Sequence, residues 1–200
     1  LCEQGGGDAT TVLAGMGLDH RIGPAFLQPG PGWGGSCFPK DTSALAAVIR
    51  QVGADDTLLE AALSANQQRL QQIVQVAAGA VGGSLKGKKV AVLGLTFKAG
   101  TDDLRGSPSL TIIEGLINAG AEVAGYDPMI SNSVPGVQKE ETALAAAQGA
   151  EVVMVLTEWP EFATLDLVAL AETMSGHQVI DTRGLLNKES CQAAGLVLWQ

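Results

Sequence analysis

The first half of the chain carries the spacing of apolar residues that is typical of helices. Residues 9–16 predict a short helix with Asp8 as its N-cap. Asp41 opens a second helix of about ten residues, which ends near Gly53. From Thr57 to Val81, apolar residues recur at steps of three and four, so one long helix is predicted there.

This long helix has two possible roles. At about 1.5 Å per residue it extends for roughly 37 Å, which exceeds the usual helix of a globular domain. Such a helix either links domains and builds an interface, or forms the long core helix of one domain. The break at Gly82-Gly83-Ser84 directly after it favours the linker or interface.

The second half alternates between short apolar strands and amphipathic helices. Ser107 and Pro108 open the first of these helices, because serine caps a helix and proline suits its first turn. The alternation predicts an α/β fold, in which a Rossmann-like doubly wound parallel sheet follows the helical segment. The predicted strands are Lys89–Leu95, Glu122–Tyr126, Glu151–Leu156, Gln178–Asp181 and Leu196–Trp199. The predicted helices run from Ser107 to Gly120 and over Thr142–Gln148, Asp166–Met174 and Lys188–Ala194.

Composition excludes several classes of partner. The 200 residues carry a formal net charge of -9 without a cluster of lysine and arginine, so no nucleic acid is expected to bind. There is no run of about 18 apolar residues, so no membrane span is predicted. Cys2, Cys37 and Cys191 are too far apart for a metal-type pair or a disulfide framework, so we expect no metal and a cytoplasmic location.

A segment rich in glycine and proline, from Gly23 to Pro39, holds the most informative cysteine. Glycines lead up to Cys37 and allow the backbone to approach a ligand closely. A thiolate at a helix N-terminus is stabilised by the helix dipole, and Lys40 adds a positive charge nearby. Cys37 is therefore a candidate nucleophile, although a lone cysteine is also often a small buried apolar residue.

The turn after the first predicted strand departs from the dinucleotide-binding pattern. Only Gly94 stands where the fingerprint G-x-G-x-x-G would begin, so this sheet is not expected to be the main NAD site. Lys98 and Arg105 follow this strand near a helix N-terminus, which suits the oxygens of a phosphate. Asp127 stands where ribose-binding acids occur, but Asp-Pro is also a common turn, and we favour the turn.

Several segments together resemble the UDP-glucose/GDP-mannose dehydrogenase family. The string GPGWGGSCFPKD over residues 30–41 is similar to the active-site signature of this family. The resemblance extends over essentially the whole chain, in the same order. The further matching segments are Gly17–Gly23, Phe26-Leu27, Asn66, Gly94–Lys98, Thr101–Pro108, Tyr126–Pro128, Thr157–Trp159 and Asp181–Arg183.

The resemblance implies a chemistry for the cysteine. Members of the family oxidise the C6 alcohol of a nucleotide sugar to a carboxylate in two hydride transfers to NAD. It implies that Cys37 captures the aldehyde as a thiohemiacetal, which is then oxidised to a thioester and hydrolysed. Asp41 is implied to orient the thiol or to handle protons and water.

The same resemblance assigns binding roles to further residues. It implies that Arg105 and Arg183 lie near the NAD cofactor. It also implies that Arg21 acts from the neighbouring subunit of a homodimer formed through the long central helix. The residues implied to contact the UDP-sugar substrate are Arg21, Phe26, Leu27, Gly34 and Lys98.

The resemblance finally predicts the organisation of the chain. Residues 1–84 would form a helical central and dimerisation segment, and residues 85–200 a UDP-sugar-binding domain. The N-terminal NAD-binding domain of the family is not in this sequence, so the chain by itself is expected to be inactive. UDP-glucose is the expected substrate of the whole enzyme. The alternatives are GDP-mannose, or a non-catalytic module that binds nucleotide sugars or dimerises.

Overall fold

The first part of the chain consists of four helices and an irregular loop. A computed structural model describes residues 2–200, without the side chains of residues 3 and 4. The helices are α1 (Cys2–Gly5), α2 (Ala9–Gly17), α3 (Phe38–Gln51) and α4 (Thr57–Ala80). The side chain of Asp8 accepts hydrogen bonds from the amides of Thr10 and Thr11, which confirms the predicted N-cap of α2.

The rest of the chain forms a parallel sheet of six strands. The strands are β1 (Lys89–Leu93), β2 (Glu122–Tyr126), β3 (Val137–Lys139), β4 (Val152–Val155), β5 (Gln178–Asp181) and β6 (Val197–Trp199). Their order is β3-β2-β1-β4-β5-β6, and every neighbouring pair is parallel. This is the order of the Rossmann fold, and it confirms the predicted fold class.

Helices cover both faces of the sheet. They are α5 (Pro108–Asn118), α6 (Ala143–Ala147), α7 (Leu167–Thr173) and α8 (Lys188–Ala193), with a 3-10 turn at Pro160–Thr164. Ser107 caps α5 as predicted, because its hydroxyl accepts a hydrogen bond from the amide of Ser109. Buried apolar residues from the two faces of the sheet form two separate clusters, one including Ile112 and the other Phe162.

The long helix α4 packs against the sheet domain with its C-terminal half. Leu70, Ile73 and Ala77 are buried in the same cluster as Ile112 of α5. This half of α4 therefore acts as a core helix, which was one of the two predicted roles. Large apolar side chains lie exposed at the start of α4 and on the elements before it, including Met16, Phe38, Val48 and Leu58.

Several boundaries differ from the prediction, and two short elements were missed. The first strand ends at Leu93 rather than Leu95, because Gly94 has a φ of 94° and the next two amides leave the ladder. The helix expected to open at Asp41 begins at Phe38, with Pro39 in its first turn. The short strand β3 and the 3-10 turn were not predicted, because neither Val137–Lys139, with one apolar residue, nor Pro160–Thr164 shows an apolar run or period.

A single buried carboxylate holds together the carboxyl ends of the central strands. The Asp127 oxygen Oδ2 accepts hydrogen bonds from the amides of Leu95 and Thr96, at 2.7 and 3.0 Å. It also accepts from the Thr96 hydroxyl at 3.0 Å and from Nε1 of Trp159 at 3.1 Å. The other oxygen of Asp127 accepts from the amide of Met129, so the predicted turn is present. Asp127 thus links the segments that follow β1, β2 and β4.

Replacing Asp127 by alanine is expected to destabilise the fold. The change leaves buried donors of Leu95 and Trp159 without an acceptor, which costs about 3 kcal/mol of unfolding free energy. Denaturant titration measures the loss, and Glu172→Ala on the exposed side of α7 is the control, with a change within about 0.5 kcal/mol. Equal stability of the two variants would contradict the assigned role of Asp127.

Candidate active site around Cys37

Cys37 lies at the N-terminus of helix α3, where its thiol is exposed. It is the N-cap residue, so the first free amides of the helix lie beside it. This position is closer to the helix than predicted, because α3 begins three residues before Asp41. Exposure excludes the alternative that Cys37 is a buried apolar residue, and the dipole of a helix of 14 residues favours a negative charge at this end.

Asp41 does not contact the sulfur of Cys37 in this structure. Its carboxylate pairs with Lys40, whose Nζ lies 3.0 Å from Oδ1, and both side chains are largely exposed. The hydrogen bond with Asp41 and the charge of its carboxylate raise the pKa of Lys40. The hydroxyl oxygen of Ser36 lies 3.8 Å from the sulfur of Cys37. The predicted role of Asp41 in orienting the thiol stays a prediction.

The loop before Cys37 docks on the segment that follows β1. The amide of Gly35 donates to the carbonyl of Gly106 at 2.9 Å. A Cβ on Gly34 would lie 2.3 Å from that carbonyl oxygen, and a Cβ on Gly106 would lie 2.6 Å from the carbonyl oxygen of Gly35. Gly106 also has a φ of 61°. Gly34, predicted to contact substrate, therefore permits a close contact of backbone with backbone.

Helix α4 also holds this loop, through the side chain of Asn66. The Asn66 side chain accepts a hydrogen bond from the amide of Trp33 and donates one to its carbonyl, both at 3.0 Å. Gly32 lies against the same side chain, because its Cβ would be 2.8 Å from Oδ1 of Asn66. The Trp33 ring meets Phe38 edge to face, with centroids 4.9 Å apart. Asn66 thus fixes the backbone of the loop four residues before Cys37.

Arg183 provides the third contact of the loop. A Cβ on Gly30 would lie 2.9 Å from Nη1 of Arg183, so the guanidinium lies directly against the loop backbone. The Arg183 side chain is 14% exposed; its Nε donates to the carbonyl of Leu156 at 2.9 Å. Burial lowers the pKa of Arg183, which the charges of Glu158 and Asp181 oppose.

The three candidate arginines share one local arrangement, an Asp two residues before the Arg. In each, the arginine amide donates to Oδ1 of the aspartate at 2.9 Å. The guanidinium groups of Arg21 and Arg105 turn back and form forked pairs with Asp19 and Asp103. The Arg183 guanidinium instead points toward Leu156 and Glu158, while Asp181 accepts from the amides of the following turn.

The remaining predicted substrate contacts lie at different places on the surface. Lys98 is exposed, and its Nζ lies 5.4 Å from the centroid of the Phe97 ring. A Cβ on Gly35 would lie 3.1 Å from that ring, so Lys98 stands next to the docked loop. Phe26 is 99% exposed, Leu27 is half-buried, and Arg21 is exposed on the turn after α2. Their contact with substrate stays a prediction.

The carboxyl edge of the sheet does not fit a complete NAD site. In the Rossmann fold, the amides after the first strand bind the pyrophosphate. Here the amides of Leu95 and Thr96 already donate to Asp127, and a Cβ on Gly94 would lie 2.4 Å from Thr157. Arg105 is exposed and fits an anion that approaches from outside the sheet. Among the side chains that the structure describes, no three from His, Cys, Asp or Glu come together as metal ligands.

Comparison with protein families decides the relationship. A profile described as the central domain of the UDP-glucose/GDP-mannose dehydrogenase family matches residues 1–68. A second profile, the UDP binding domain of the same family, matches residues 91–188. The chain belongs to the UDP-glucose/GDP-mannose dehydrogenase family.

Individual relatives agree with this membership of the dehydrogenase family. A UDP-glucose 6-dehydrogenase of Rickettsia bellii is 40% identical over 201 residues, which cover 98% of this chain and 46% of that protein. The structure of a UDP-glucose dehydrogenase from Pyrobaculum islandicum superposes with a TM-score of 0.83 at 32% identity, over 94% of this chain and 42% of that one. A GDP-mannose dehydrogenase from Pseudomonas aeruginosa gives 0.68 at 27%, over 90% and 43%. The chain thus spans less than half the length of these relatives.

The sequence analysis assigned no role to two residues that the structure places near the site, Glu158 and Trp159. Glu158 pairs with Arg183, and Trp159 donates to Asp127. The segment Thr157–Trp159 was among the matching motifs, but a motif alone does not indicate which partner each side chain meets.

None of the helices in the described chain is both long and apolar enough to cross a lipid bilayer.

Replacing Gly34 by alanine is expected to weaken the docking of the cysteine loop. The added methyl group would overlap the carbonyl of Gly106 and the Pro108 ring, which costs about 1–3 kcal/mol of unfolding free energy. Gly79→Ala in α4 is the matched control, because no atom lies near its Cβ; it is expected to stabilise the helix by about 0.5–1 kcal/mol. Thermal unfolding distinguishes the two, and a stable Gly34→Ala variant would contradict the close contact.

The ion pair of Asp103 and Arg105 should shift the pKa of Asp103 by a measurable amount. The hydrogen bonds from the side chain and the amide of Arg105 lower the pKa of Asp103 to about 2. The pair therefore contributes stability above the ordinary pKa of 3.8, and the contribution disappears as the pH falls toward about 2.

Arg105→Ala is expected to raise the pKa of Asp103 part of the way to its ordinary value, because the amide bond remains. Titration of the side-chain carboxyl carbon by NMR measures this change. Asp55, whose pKa is lowered by Thr57, is the internal control and should not move. An unchanged Asp103 titration would show that the forked pair does not form in solution.

Proposed function

We propose that this chain forms the nucleophile-bearing and UDP-sugar-binding part of an NAD-dependent UDP-glucose 6-dehydrogenase. The observation that carries the proposal is the exposed thiol of Cys37 at a helix N-terminus, on a glycine loop docked on the carboxyl edge of a Rossmann-like sheet. Ligands of such sheets bind at this edge. The relatives named UDP-glucose 6-dehydrogenase support the choice of reaction.

The proposed reaction uses Cys37 to keep the half-oxidised sugar on the enzyme. Loss of a hydride and a proton converts the C6 alcohol to an aldehyde, and NAD supplies the hydride acceptor when bound. The thiolate of Cys37 adds to the aldehyde carbon, and the resulting oxyanion is protonated to give a thiohemiacetal. Loss of a second hydride and a proton leaves a thioester. Water then adds to the carbonyl, the C–S bond breaks, and the carboxylate and the thiol are released.

The surrounding residues have separate proposed tasks. Gly34 and Lys98 border the same docked segment and would contact the UDP-sugar, with Lys98 placed to meet its phosphates. Phe26 and Leu27 would line the sugar nucleotide, and Arg21 would reach it from a neighbouring subunit. Asp41, in the first turn of α3, would accept a proton or orient water after its pair with Lys40 opens.

Arg105 and Arg183 are proposed to face the NAD phosphates. Arg105 is exposed, and its forked pair with Asp103 would have to open before both of its nitrogens could bind a phosphate. Arg183 is largely buried, so it would act at short range from the edge of the sheet. The amides after β1 are taken by Asp127, so the rest of the NAD site would come from residues other than those described.

Several properties of the whole protein remain expectations. The isolated chain stays predicted to be inactive, because its described residues do not form a complete NAD site. A homodimer also stays a prediction. Its interface would use the first turns of α4 together with α2 and α3, because the C-terminal half of α4 is already buried. We also propose that the helical segment ends at residue 84 and that the protein works in the cytoplasm.

Replacing Cys37 by serine in the full-length enzyme is expected to abolish the four-electron oxidation. A serine hydroxyl is a much weaker nucleophile at neutral pH, so formation of the acid should fall by roughly 10³-fold or more. Cys2→Ser is the matched control and should retain full activity. NADH formation and the sugar product are measured together. A non-catalytic module would give no activity in either protein, and equal activity in both variants would contradict the role of Cys37.

UDP is expected to bind the chain more tightly than GDP. The match to a UDP binding domain and the phenylalanine after Cys37 favour UDP-glucose over GDP-mannose. Isothermal titration calorimetry should give a dissociation constant for UDP that is lower by about tenfold or more. Lys98→Ala should weaken UDP binding, whereas Lys188→Ala on α8 should not. A preference for GDP would reverse the choice of substrate.

A further inference from the structure

Glu158 connects two segments of the candidate site through its two carboxylate oxygens. Its Oε1 accepts a hydrogen bond from the amide of Ala99 at 3.2 Å, directly after Lys98 in the chain. Its Oε2 lies 3.0 Å from Nη1 of Arg183. That oxygen is buried, and its approach to Arg183 is a charge contact without hydrogen-bond geometry. One carboxylate therefore touches the lysine segment and the buried arginine.

Arg183 carries this connection to the cysteine loop. Its Nη1, the atom beside Glu158, is also the nearest atom to the position that a Cβ on Gly30 would take. The next residue, Gly184, lies beside Pro29 of the same loop, with 3.6 Å between its Cβ position and the proline ring. The guanidinium is thus confined between the carbonyl of Leu156, the carboxylate and the loop backbone.

A gain in stability does not by itself explain why a carboxylate and a guanidinium are paired at Glu158 and Arg183. Transferring the Arg183 guanidinium from water to a largely buried position costs free energy, and a packed apolar pair of the same volume often stabilises a fold as well. Here the Arg183 side chain is 14% exposed and that of Glu158 38% exposed, so it is the guanidinium that loses its charge partner if Glu158 moves away, and this favours one arrangement of the neighbours. Here the neighbours are the Lys98 segment and the Gly30 segment.

We propose that Glu158 is a positioning residue that holds the Cys37 loop and the Lys98 segment in one fixed relation through Arg183 and Ala99. The proposal rests on the proposed function, in which Cys37 attacks the sugar and Lys98 binds the nucleotide. Glu158 itself does not touch the reacting atoms. Through these contacts Glu158 sets the distance between Cys37, the nucleophile, and Lys98, which holds the substrate. The rate of a reaction between bound groups depends steeply on that distance.

Residue-resolved amide hydrogen exchange by NMR on the 200-residue chain tests the proposal without turnover. Glu158→Gln keeps an oxygen for Ala99 but removes the charge. It should speed exchange at Trp33 and Gly35 about tenfold, while Ala99 stays protected. Glu158→Ala should speed exchange at Ala99 as well. Glu151→Gln is the matched control, because it removes the charge from a different ion pair, the one between Lys88 and Glu151, which directly precedes β4. Exchange in the loop should not change in this variant.

A double-mutant cycle with Arg183→Gln separates positioning from general stabilisation. If the carboxylate acts through the arginine, the double variant should exchange at Gly35 no faster than Arg183→Gln alone. The proposal is overturned if Glu158→Gln leaves Gly35 unchanged or if the two effects multiply. It is also overturned if the strand amides of Val92 and Val153 speed up by the same factor, since that reports global destabilisation. Amide exchange requires no catalysis. A negative result would therefore overturn the role of Glu158 without contradicting the proposed reaction of Cys37, which the Cys37→Ser variant tests separately.

Discussion

The docking of a glycine loop on the carboxyl edge of the sheet is the contact on which the candidate site depends. The contact is made by backbone: the Gly35 amide meets the Gly106 carbonyl, and no Cβ fits at either Gly34 or Gly106. Such an approach brings a helix N-terminus and its exposed thiol next to the carboxyl edge of the sheet. Because Gly34 and Gly106 leave no room for a Cβ, the two backbones approach closely, and changes at these glycines act directly on the position of the loop.

A second constraint determines what the edge of the sheet can bind. Asp127 accepts the two amides after β1, which in a dinucleotide-binding domain would face a pyrophosphate. The same carboxylate oxygen accepts a hydrogen bond from the indole of Trp159. Glu158 comes directly before this tryptophan, so its backbone lies next to a residue that is held in place. The sheet therefore keeps the Rossmann strand order but not the Rossmann phosphate site. Lys98 and Arg105 are exposed beside this edge, while Arg183 is largely buried, and the proposed binding of a nucleotide sugar rests on this arrangement.

The parallel α/β sheet, five of its six strands and most helices could be predicted from the sequence, because apolar periodicity and capping residues such as Asp8 and Ser107 report local structure. The position of Cys37 relative to α3 was missed by three residues, since Phe38 and Pro39 look like part of an irregular loop until proline is recognised in the first helical turn. Glu158 could not be assigned, because its partners Ala99 and Arg183 are brought together only by the sheet. Long-range pairings of this kind leave no periodic signal in one sequence.

The central claim is that Cys37 and the carboxyl edge of the sheet form a single site for a UDP-sugar. The most direct test is the rate at which iodoacetamide alkylates Cys37 in the presence and absence of UDP, with Cys2 as the reference thiol, read by mass spectrometry. At a UDP concentration about a hundredfold above its dissociation constant, alkylation of Cys37 should slow by about tenfold or more, while Cys2 reacts unchanged. A Cys37 rate that is the same with and without bound UDP would contradict the claim.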